Sequence, residues 1–248
     1  TLFMTAKRGI PTVKKLASGG TNAMGEVGTL IALNALQGNL LKSCSEGLLP
    51  AILKKDGGYY VNILVPMDAF RERFEQLYRE TGIKHPCRPD IVVFSIFCLK
   101  EQELIPQTLK VSFVEVKARN GKFSDSISAL NQYSDIHAYF NSPDTHPIDQ
   151  IAKKDFIVAM LMFGLRVYEA LDVIAQTKLL DGLYSKVLQK IWHTDNFLYF
   201  NDLSRLFVVH NTEESKCSDK KNEIYQTIEL SKADAYSLIV NAQWPNFF

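Results

Sequence analysis

The sequence predicts an α/β domain built on one central mixed sheet. Apolar runs with the two-residue alternation of strands are interleaved with stretches of helical periodicity, and two of the strand-like runs follow each other closely. The 248 residues suffice for one domain with a buried core, which we expect to span the whole chain, 1–248. A content of 46% hydrophobic and 22% charged residues is an ordinary globular composition and excludes a disordered or fibrous chain.

The first part of the chain alternates helix and strand. A helix is predicted over 21–41, where apolar residues recur close to the helical period and a threonine or asparagine can cap the start. The segment GYYVNILV predicts a strand over 58–65 after a Gly-Gly turn. Residues 68–80 form an amphipathic pattern that predicts a helix ending at Gly82.

Two strand-like runs follow and predict a hairpin. Residues 90–99 (DIVVFSIFCL) and 108–118 (TLKVSFVEVKA) flank the polar segment KEQELIPQ. Because a short polar segment joins them, the two runs are expected to pair antiparallel, with a loop of medium length between them.

The second half begins with helices and ends with strands. A helix is expected over about 125–140, and residues 148–192 predict two helices with a break near Gly182. A strand is predicted over 205–210, before a polar loop at 211–223 and a closing strand and helix.

The charge is divided unevenly along the chain, although the formal net charge is only +1. Residues 1–124 hold 17 Lys and Arg against 11 Asp and Glu, a net of +6, whereas residues 125–248 hold 11 against 16, a net of −5. A surface that binds nucleic-acid phosphates can therefore be confined to the first half. The alternative is a set of solvated faces of unequal charge, so charge permits a nucleic-acid partner without establishing one.

Several classes of protein and site are excluded by simple patterns. The longest apolar run, Phe156 to Leu165, is ten residues, whereas a membrane span needs about 20. No secretory signal is recognisable, and the four cysteines have no CxxC spacing, so we expect a reduced, cytoplasmic protein without a zinc ribbon. The chain begins at Thr1, which is expected if the initiating Met was removed or if this is a piece of a longer polypeptide, and the aromatic segment at its end favours the second alternative.

Two further patterns are discounted as functional motifs. Residues 20–25 (GTNAMG) have the glycine spacing of a phosphate-binding loop, but Glu26 stands where the lysine of that motif belongs. An ATPase would therefore have to lie on another chain or domain. The lysine pairs at 14–15, 54–55 and 153–154 are predicted to be solvated, and contact with DNA phosphates is the alternative for the first two pairs.

The strand predicted over 108–118 carries an unusual charged face. Side chains alternate between the two faces of a strand, so Glu115, Lys117 and Arg119 share one face, with about 6–7 Å between successive Cα atoms. Burying these ions without a use for them would be costly. Asp90 stands at the start of the neighbouring strand, directly after Pro89, which disfavours a helix there. If the hairpin pairs as predicted, Asp90 and Glu115 converge.

Two converging carboxylates form a hard-oxygen site suited to Mg²⁺ or Mn²⁺. Such an ion activates a water and neutralises charge on a phosphodiester transition state. Lys117, beside the carboxylates, can orient that water or stabilise the developing negative charge. The arrangement predicts phosphodiester hydrolysis. The alternative is a surface strand with a solvated charged face, which would expose Val111 and Phe113 as well.

These residues resemble the signature of a nuclease superfamily. Pro89-Asp90 and Glu115-Val116-Lys117, with the two carboxylates 25 residues apart, are similar to the PD-(D/E)XK motif. The resemblance implies an αβββαβ restriction-endonuclease-like core at about 21–140 and 197–248. The stretch at about 148–192 would then be a helical insertion. The implied activity is Mg²⁺-dependent or Mn²⁺-dependent hydrolysis of DNA, with Asp90 and Glu115 as metal ligands and Lys117 as a catalytic residue.

Two more site residues are implied by the resemblance alone. Many members carry a glutamate on the first helix, and Glu26 fits that place as a third metal-binding carboxylate. Members similar to RecB and Mrr have a glutamine on the helix after the ExK strand, and Gln132 fits it as a catalytic residue. In those members a tyrosine follows four residues later, where this chain has Ile136. The alternatives are a first-turn glutamate that complements the helix dipole and an exposed helical glutamine.

A fainter similarity extends the implied setting. The segment KRGIPTVKKLASGG and the helix after it are similar to the nuclease portion of bacterial defence helicase–nucleases such as the DptH proteins. This implies a role in antiviral defence or repair, with DNA as substrate, an ATPase or helicase domain or subunit as partner, and no membrane. The alternatives are an inactive nuclease-fold module that binds nucleic acid or a partner protein, and an interaction domain without a nucleic-acid role.

Overall fold

The chain folds as an α/β protein that divides into two compact units. The computed structural model describes the following residues: 28–29, 32–33, 35–36, 49–81, 89–101, 103–119, 139–140, 147–170, 182–200, 204–210, 217–221 and 225–231. The first unit comprises residues 1–50, 113–131 and 203–248, and the second comprises 51–112 and 132–202. Whether both belong to one nuclease-like domain stays a prediction.

The second unit begins with a tight hairpin. Strand β1 (Ile52–Lys55) pairs antiparallel with strand β2 (Gly58–Pro66), and Asp56 and Gly57 form the turn between them. Both turn residues have positive φ values, 55° and 75°, as a type I′ turn requires. The predicted strand over 58–65 is therefore confirmed. The turn consists of Asp56 and Gly57 rather than two glycines, and β1 was not predicted.

Strand β3 (Ile91–Lys100) pairs antiparallel with β2, with Val61 opposite Ile96 and Pro66 opposite Ile91. Strand β4 (Leu104–Arg119) is its other neighbour in the sheet. Only residues 101–103 connect β3 and β4, which is too short for a parallel crossover. The loop of medium length was therefore wrong. Strand β4 begins at Leu104, before the predicted start at residue 108, and Leu104 and Pro106 are buried.

Helices pack on the sheet of the second unit. A 3₁₀ turn (Met67–Phe70) leads into helix α1 (Arg71–Thr81), close to the predicted helix. Helices α2 (Pro147–Ala170) and α3 (Leu183–His193) confirm two helices before and after the predicted break. Gly164 of α2 lies against β2, because a Cβ added there would stand 2.6 Å from Ile63 Cγ2 and 2.7 Å from Val65 Cγ2.

Aromatic side chains connect these helices to a short strand. Strand β5 (Leu198–Phe200) pairs parallel with β4 at residues 109–111 and was not predicted. Phe200 stacks on Phe140 with 4.4 Å between ring centroids, and Phe140 contacts Phe156 of α2. Phe156 in turn meets Phe74 of α1 edge to face at 4.8 Å. This apolar cluster fixes α1, α2 and β5 to one another.

The first unit contains the end of β4 and three later strands. Strands β6 (Ser204–His210) and β8 (Tyr225–Ser231) extend the sheet in parallel, in the order β4, β6, β8. Strand β7 (Cys217–Lys221) pairs antiparallel with β8. The strand predicted over 205–210 and the closing strand are confirmed, but the polar loop at 211–223 was wrong, because β7 lies within it.

The predicted first helix is confirmed where it is described. Residues 28–29, 32–33 and 35–36 are helical, and Leu36 accepts a backbone hydrogen bond from Leu49. The helix expected over about 125–140 is described only at Tyr139 and Phe140, which are helical, and the closing helix lies outside the described residues. Among the helices that the structure describes, none combines the length and the apolar character needed to cross a bilayer.

Candidate active site

Asp90 lies at the start of β3 in the second unit. It is half-buried and occupies a bend between Pro89, which is buried, and Ile91, the first residue of the strand. Its backbone carbonyl accepts a hydrogen bond of 3.0 Å from the backbone N–H of Met67. This bond connects the start of β3 to the end of β2, so the backbone that carries the Asp90 carboxylate is fixed by its neighbours.

Glu115 is a buried carboxylate in the first-unit part of β4. Only 7% of its surface is exposed, and its neighbours Val114 and Val116 are buried as well. In the parallel ladder with β6 it stands opposite Leu206. Val111 and Phe113 are also buried, so the alternative of a solvated strand face is excluded at these positions. A carboxylate in such surroundings requires a polar or charged partner to offset the loss of its hydration.

Lys117 and Arg119 continue β4 beyond Glu115. In the ladder with β6, Lys117 stands opposite Val208 and Arg119 opposite His210. The backbone of Lys117 is therefore held by pairing with β6, two residues after the buried carboxylate.

The remaining predicted site residues are not brought together by the described geometry. Glu26 and Gln132 lie outside the described residues. Asp90 belongs to the second unit and Glu115 to the first, so their convergence on one metal ion stays a prediction. Within the part of the chain that the structure describes, no group of three or more His, Cys, Asp or Glu side chains is placed to hold a metal ion. The carboxylates themselves are the donor type that Mg²⁺ and Mn²⁺ prefer.

Sequence reasoning misplaced one lysine. Lys153, predicted to be solvated, is buried in α2 with 6% of its surface exposed, and its ammonium lies 4.7 Å from the ring centroid of Tyr139. The helical spacing could have revealed its burial. Lys153 precedes Phe156 by three residues and Met160 by seven, so it lies on the same face of the helix as these two buried residues. Lys54 and Lys55 are exposed, as predicted.

Comparison with known proteins finds no relative of the chain. No protein-family model matches the chain, and neither a curated protein nor a solved structure matches it.

Proposed function

We propose that the chain is a metal-dependent nuclease domain of the PD-(D/E)XK type that hydrolyses DNA phosphodiester bonds. The observation that carries the proposal is the burial of Glu115 between Val114 and Val116. Strand β4 is otherwise apolar at its buried positions around this residue apart from Ser112. Burying a carboxylate in an apolar strand costs free energy. A divalent cation bound to the carboxylate would offset that cost, and this favours a metal-binding role.

The element order supports the same proposal. Helical residues between 28 and 36 precede strands β2, β3 and β4, in the order expected of an αβββαβ core, although β1 and helix α1 are additions to that pattern. Strand β6 is parallel to β4, and a parallel pair needs a long crossover between its strands. Residues 120–203 provide that length and include the expected second core helix and the helices of the proposed insertion.

Each proposed site residue has a defined task. Asp90 and Glu115 would hold Mg²⁺ or Mn²⁺, with Glu26 as a third carboxylate. When bound, the ion supplies charge neutralisation for the phosphate and acidifies a water ligand. Lys117 would orient the attacking water and donate a hydrogen bond to the developing negative charge, and Gln132 would position Lys117 or the substrate.

The proposed setting is a larger bacterial defence or repair protein. In it, an ATPase or helicase domain or subunit would deliver DNA to this nuclease. This part of the proposal derives from the PD-(D/E)XK motif and from the similarity at the start of the chain, KRGIPTVKKLASGG.

A cleavage assay tests the proposal. The unmodified chain should cut linear or circular DNA with Mg²⁺ or Mn²⁺ and remain inactive in EDTA. Asp90→Asn, Glu115→Gln and Lys117→Met should each reduce the rate by about 10²–10³-fold or more, while DNA binding is largely retained. Glu101→Gln is the matched control, because Glu101 is an exposed carboxylate in the loop between β3 and β4.

Two results would overturn the proposal. If Glu115→Gln cuts as fast as the unmodified chain, the assigned residues are wrong. If the unmodified chain cuts no DNA with either metal, a binding module without catalysis replaces the nuclease.

A further inference from the structure

The second unit carries exposed aromatic side chains on one face of its sheet. Tyr60 of β2 and Phe97 of β3 stand opposite each other in the ladder, with ring centroids 5.0 Å apart, and both are partly exposed. Leu99 and Tyr199 are more exposed, at 41% and 44%. We refer to Tyr60, Phe97, Leu99 and Tyr199 as the aromatic face.

Strand alternation places these residues together. Ile63 and Val65 of β2 point toward helix α2, so Tyr60 points to the opposite side of the sheet. Phe97 is paired with Tyr60, and Leu99, two residues after Phe97, shares its side. The aromatic face is therefore on the side of β2 and β3 that α2 does not cover.

Phe200 of β5 stacks on Phe140, which contacts Phe156 of α2, so the adjacent Tyr199 points to the side of the sheet that α2 does not cover, as Tyr60 does. Burial, the Asp56 carboxylate and Tyr199 each raise the pKa of the Tyr60 phenol, in that order of importance. Three strand spacings separate β2 from β5, which is about 14 Å between backbones and matches a span of a few nucleotides.

Lysines lie on the same side of the sheet. Lys55 of β1 is exposed and pairs with Gly58, which shares the side of Tyr60. Lys110 of β4 is in register with Tyr199. The face thus combines ring surfaces, on which bases stack, with positive charges at its margins, which attract phosphates. One carboxylate opposes this charge: exposed Asp56 accepts a hydrogen bond of 3.4 Å from the Tyr60 hydroxyl.

We propose that the aromatic face binds single-stranded nucleic acid, with bases stacked on Tyr60 and Tyr199 and the backbone following Lys55 and Lys110. Phe97 supports the Tyr60 ring from the side. Stacking suits a single strand because its bases are not enclosed in a duplex, and it is tolerant of sequence because every base has a flat ring. This inference goes beyond the proposed cleavage, since none of the four residues is a metal ligand.

The test is a fluorescence-anisotropy titration of labelled oligothymidine of about 15 nucleotides in EDTA, so that cleavage plays no part. Tyr60→Ala and Tyr199→Ala should each weaken binding about tenfold or more. Tyr60→Phe keeps the ring and should bind like the unmodified chain. Tyr59→Ala is the matched control, because Tyr59 is the adjacent residue and points to the other side of β2.

The lysines provide a second, independent readout. Lys55→Ala should reduce the slope of log affinity against log salt by about 0.7, the loss of one contact with a single-strand phosphate. Lys54→Ala should change the slope less, because Lys54 is also exposed but lies on the other side of β1. Thermal unfolding of every variant establishes that the fold is retained.

Three outcomes would overturn the inference. The first is an unmodified chain that does not bind the oligothymidine, in which case the face serves another partner such as a protein. The second is binding that persists unchanged in folded Tyr60→Ala and Tyr199→Ala. The third is an equal loss in Tyr59→Ala, which would mean that the sheet rather than this face determines binding.

Discussion

Gly164 of helix α2 lies directly over Ile63 of strand β2. A methyl group at Gly164 would stand 2.6 Å from Ile63 Cγ2 and 2.7 Å from Val65 Cγ2. Both of those methyl groups belong to β-branched side chains that are fully buried, so they cannot rotate away cheaply. The absence of a side chain at residue 164 allows the helix to approach the sheet.

Gly164→Ala should therefore destabilise the protein although alanine is the better helix former. Helix propensity alone favours the substitution by about 1 kcal/mol, but overpacking costs about 1–3 kcal/mol or more. We expect urea unfolding to give a free energy of unfolding lower by up to about 2 kcal/mol. Ala152→Gly, at an exposed position of the same helix, measures the propensity term separately. A more stable Gly164→Ala variant would contradict the close helix–sheet contact.

Ser95 and Asn62 form a polar pair between apolar strands. The Ser95 hydroxyl donates a 2.7 Å hydrogen bond to Asn62 Oδ1, and Asn62 is 2% exposed. Ser95→Ala removes this donor, and we expect a loss of about 1–2 kcal/mol in chemical unfolding. Ser185→Ala is the control, because the exposed Ser185 hydroxyl bonds to the Gly182 carbonyl and its loss should cost less than about 0.5 kcal/mol. Equal effects of the two substitutions would show that burial does not strengthen the Ser95 bond.

Cys98 makes stability depend on alkaline pH. Burial raises the pKa of its thiol from 9.0 to about 12, with Lys190 opposing this rise. Between these two values the folded chain keeps the proton that the unfolded chain releases, so the free energy of unfolding falls as pH rises. The contribution is fully present below pH 9 and is lost as the pH approaches 12. Cys98→Ala should lack it, so that the difference between the unmodified chain and the variant shrinks from pH 9 upward; a constant difference would contradict the shifted thiol.

The Phe97 ring of the aromatic face packs against the backbone of Gly58. A Cβ at Gly58 would lie 2.5 Å from the Cys98 carbonyl oxygen and 2.6 Å from Phe97 Cε2, so the ring must move if a side chain is added. Gly58→Ala should lower the free energy of unfolding by about 1–3 kcal/mol and weaken oligothymidine binding. Thermal melting and the anisotropy titration measure the two effects, and unchanged values in both would contradict the packing of Phe97 on Gly58.

Strands with strong apolar patterns were predictable, whereas edge strands were not. β2 and β3 have enough apolar residues to identify them, and β3 was predicted to within one residue. β1, β5 and β7 have four, three and five residues, and β7 reads CSDKK. Such strands exist because a neighbour's backbone offers hydrogen bonds, and local sequence does not reveal which neighbour is adjacent.

The candidate site residues also differ in whether local sequence reveals them. Asp90 and Glu115 could be proposed as site residues from the sequence, because Asp90 follows a proline at the start of a predicted strand and Glu115 is a carboxylate within an otherwise apolar one. The grouping of Tyr60 with Tyr199 could not be predicted, because it depends on β5 pairing with β4 after about 80 intervening residues of chain. Lys153 was misassigned because a lysine pair was interpreted by its charge instead of by its helical position.

The central proposal is that Asp90 and Glu115 share one divalent ion. Calorimetric titration with Mn²⁺ tests this proposal most directly. The unmodified chain should bind Mn²⁺, and Asp90→Asn and Glu115→Gln should each lose at least about tenfold in affinity. The double variant should lose much less than the two single losses combined, since two ligands of one ion are not independent. Unchanged affinity in either single variant, or fully additive losses in the double variant, would contradict the shared site.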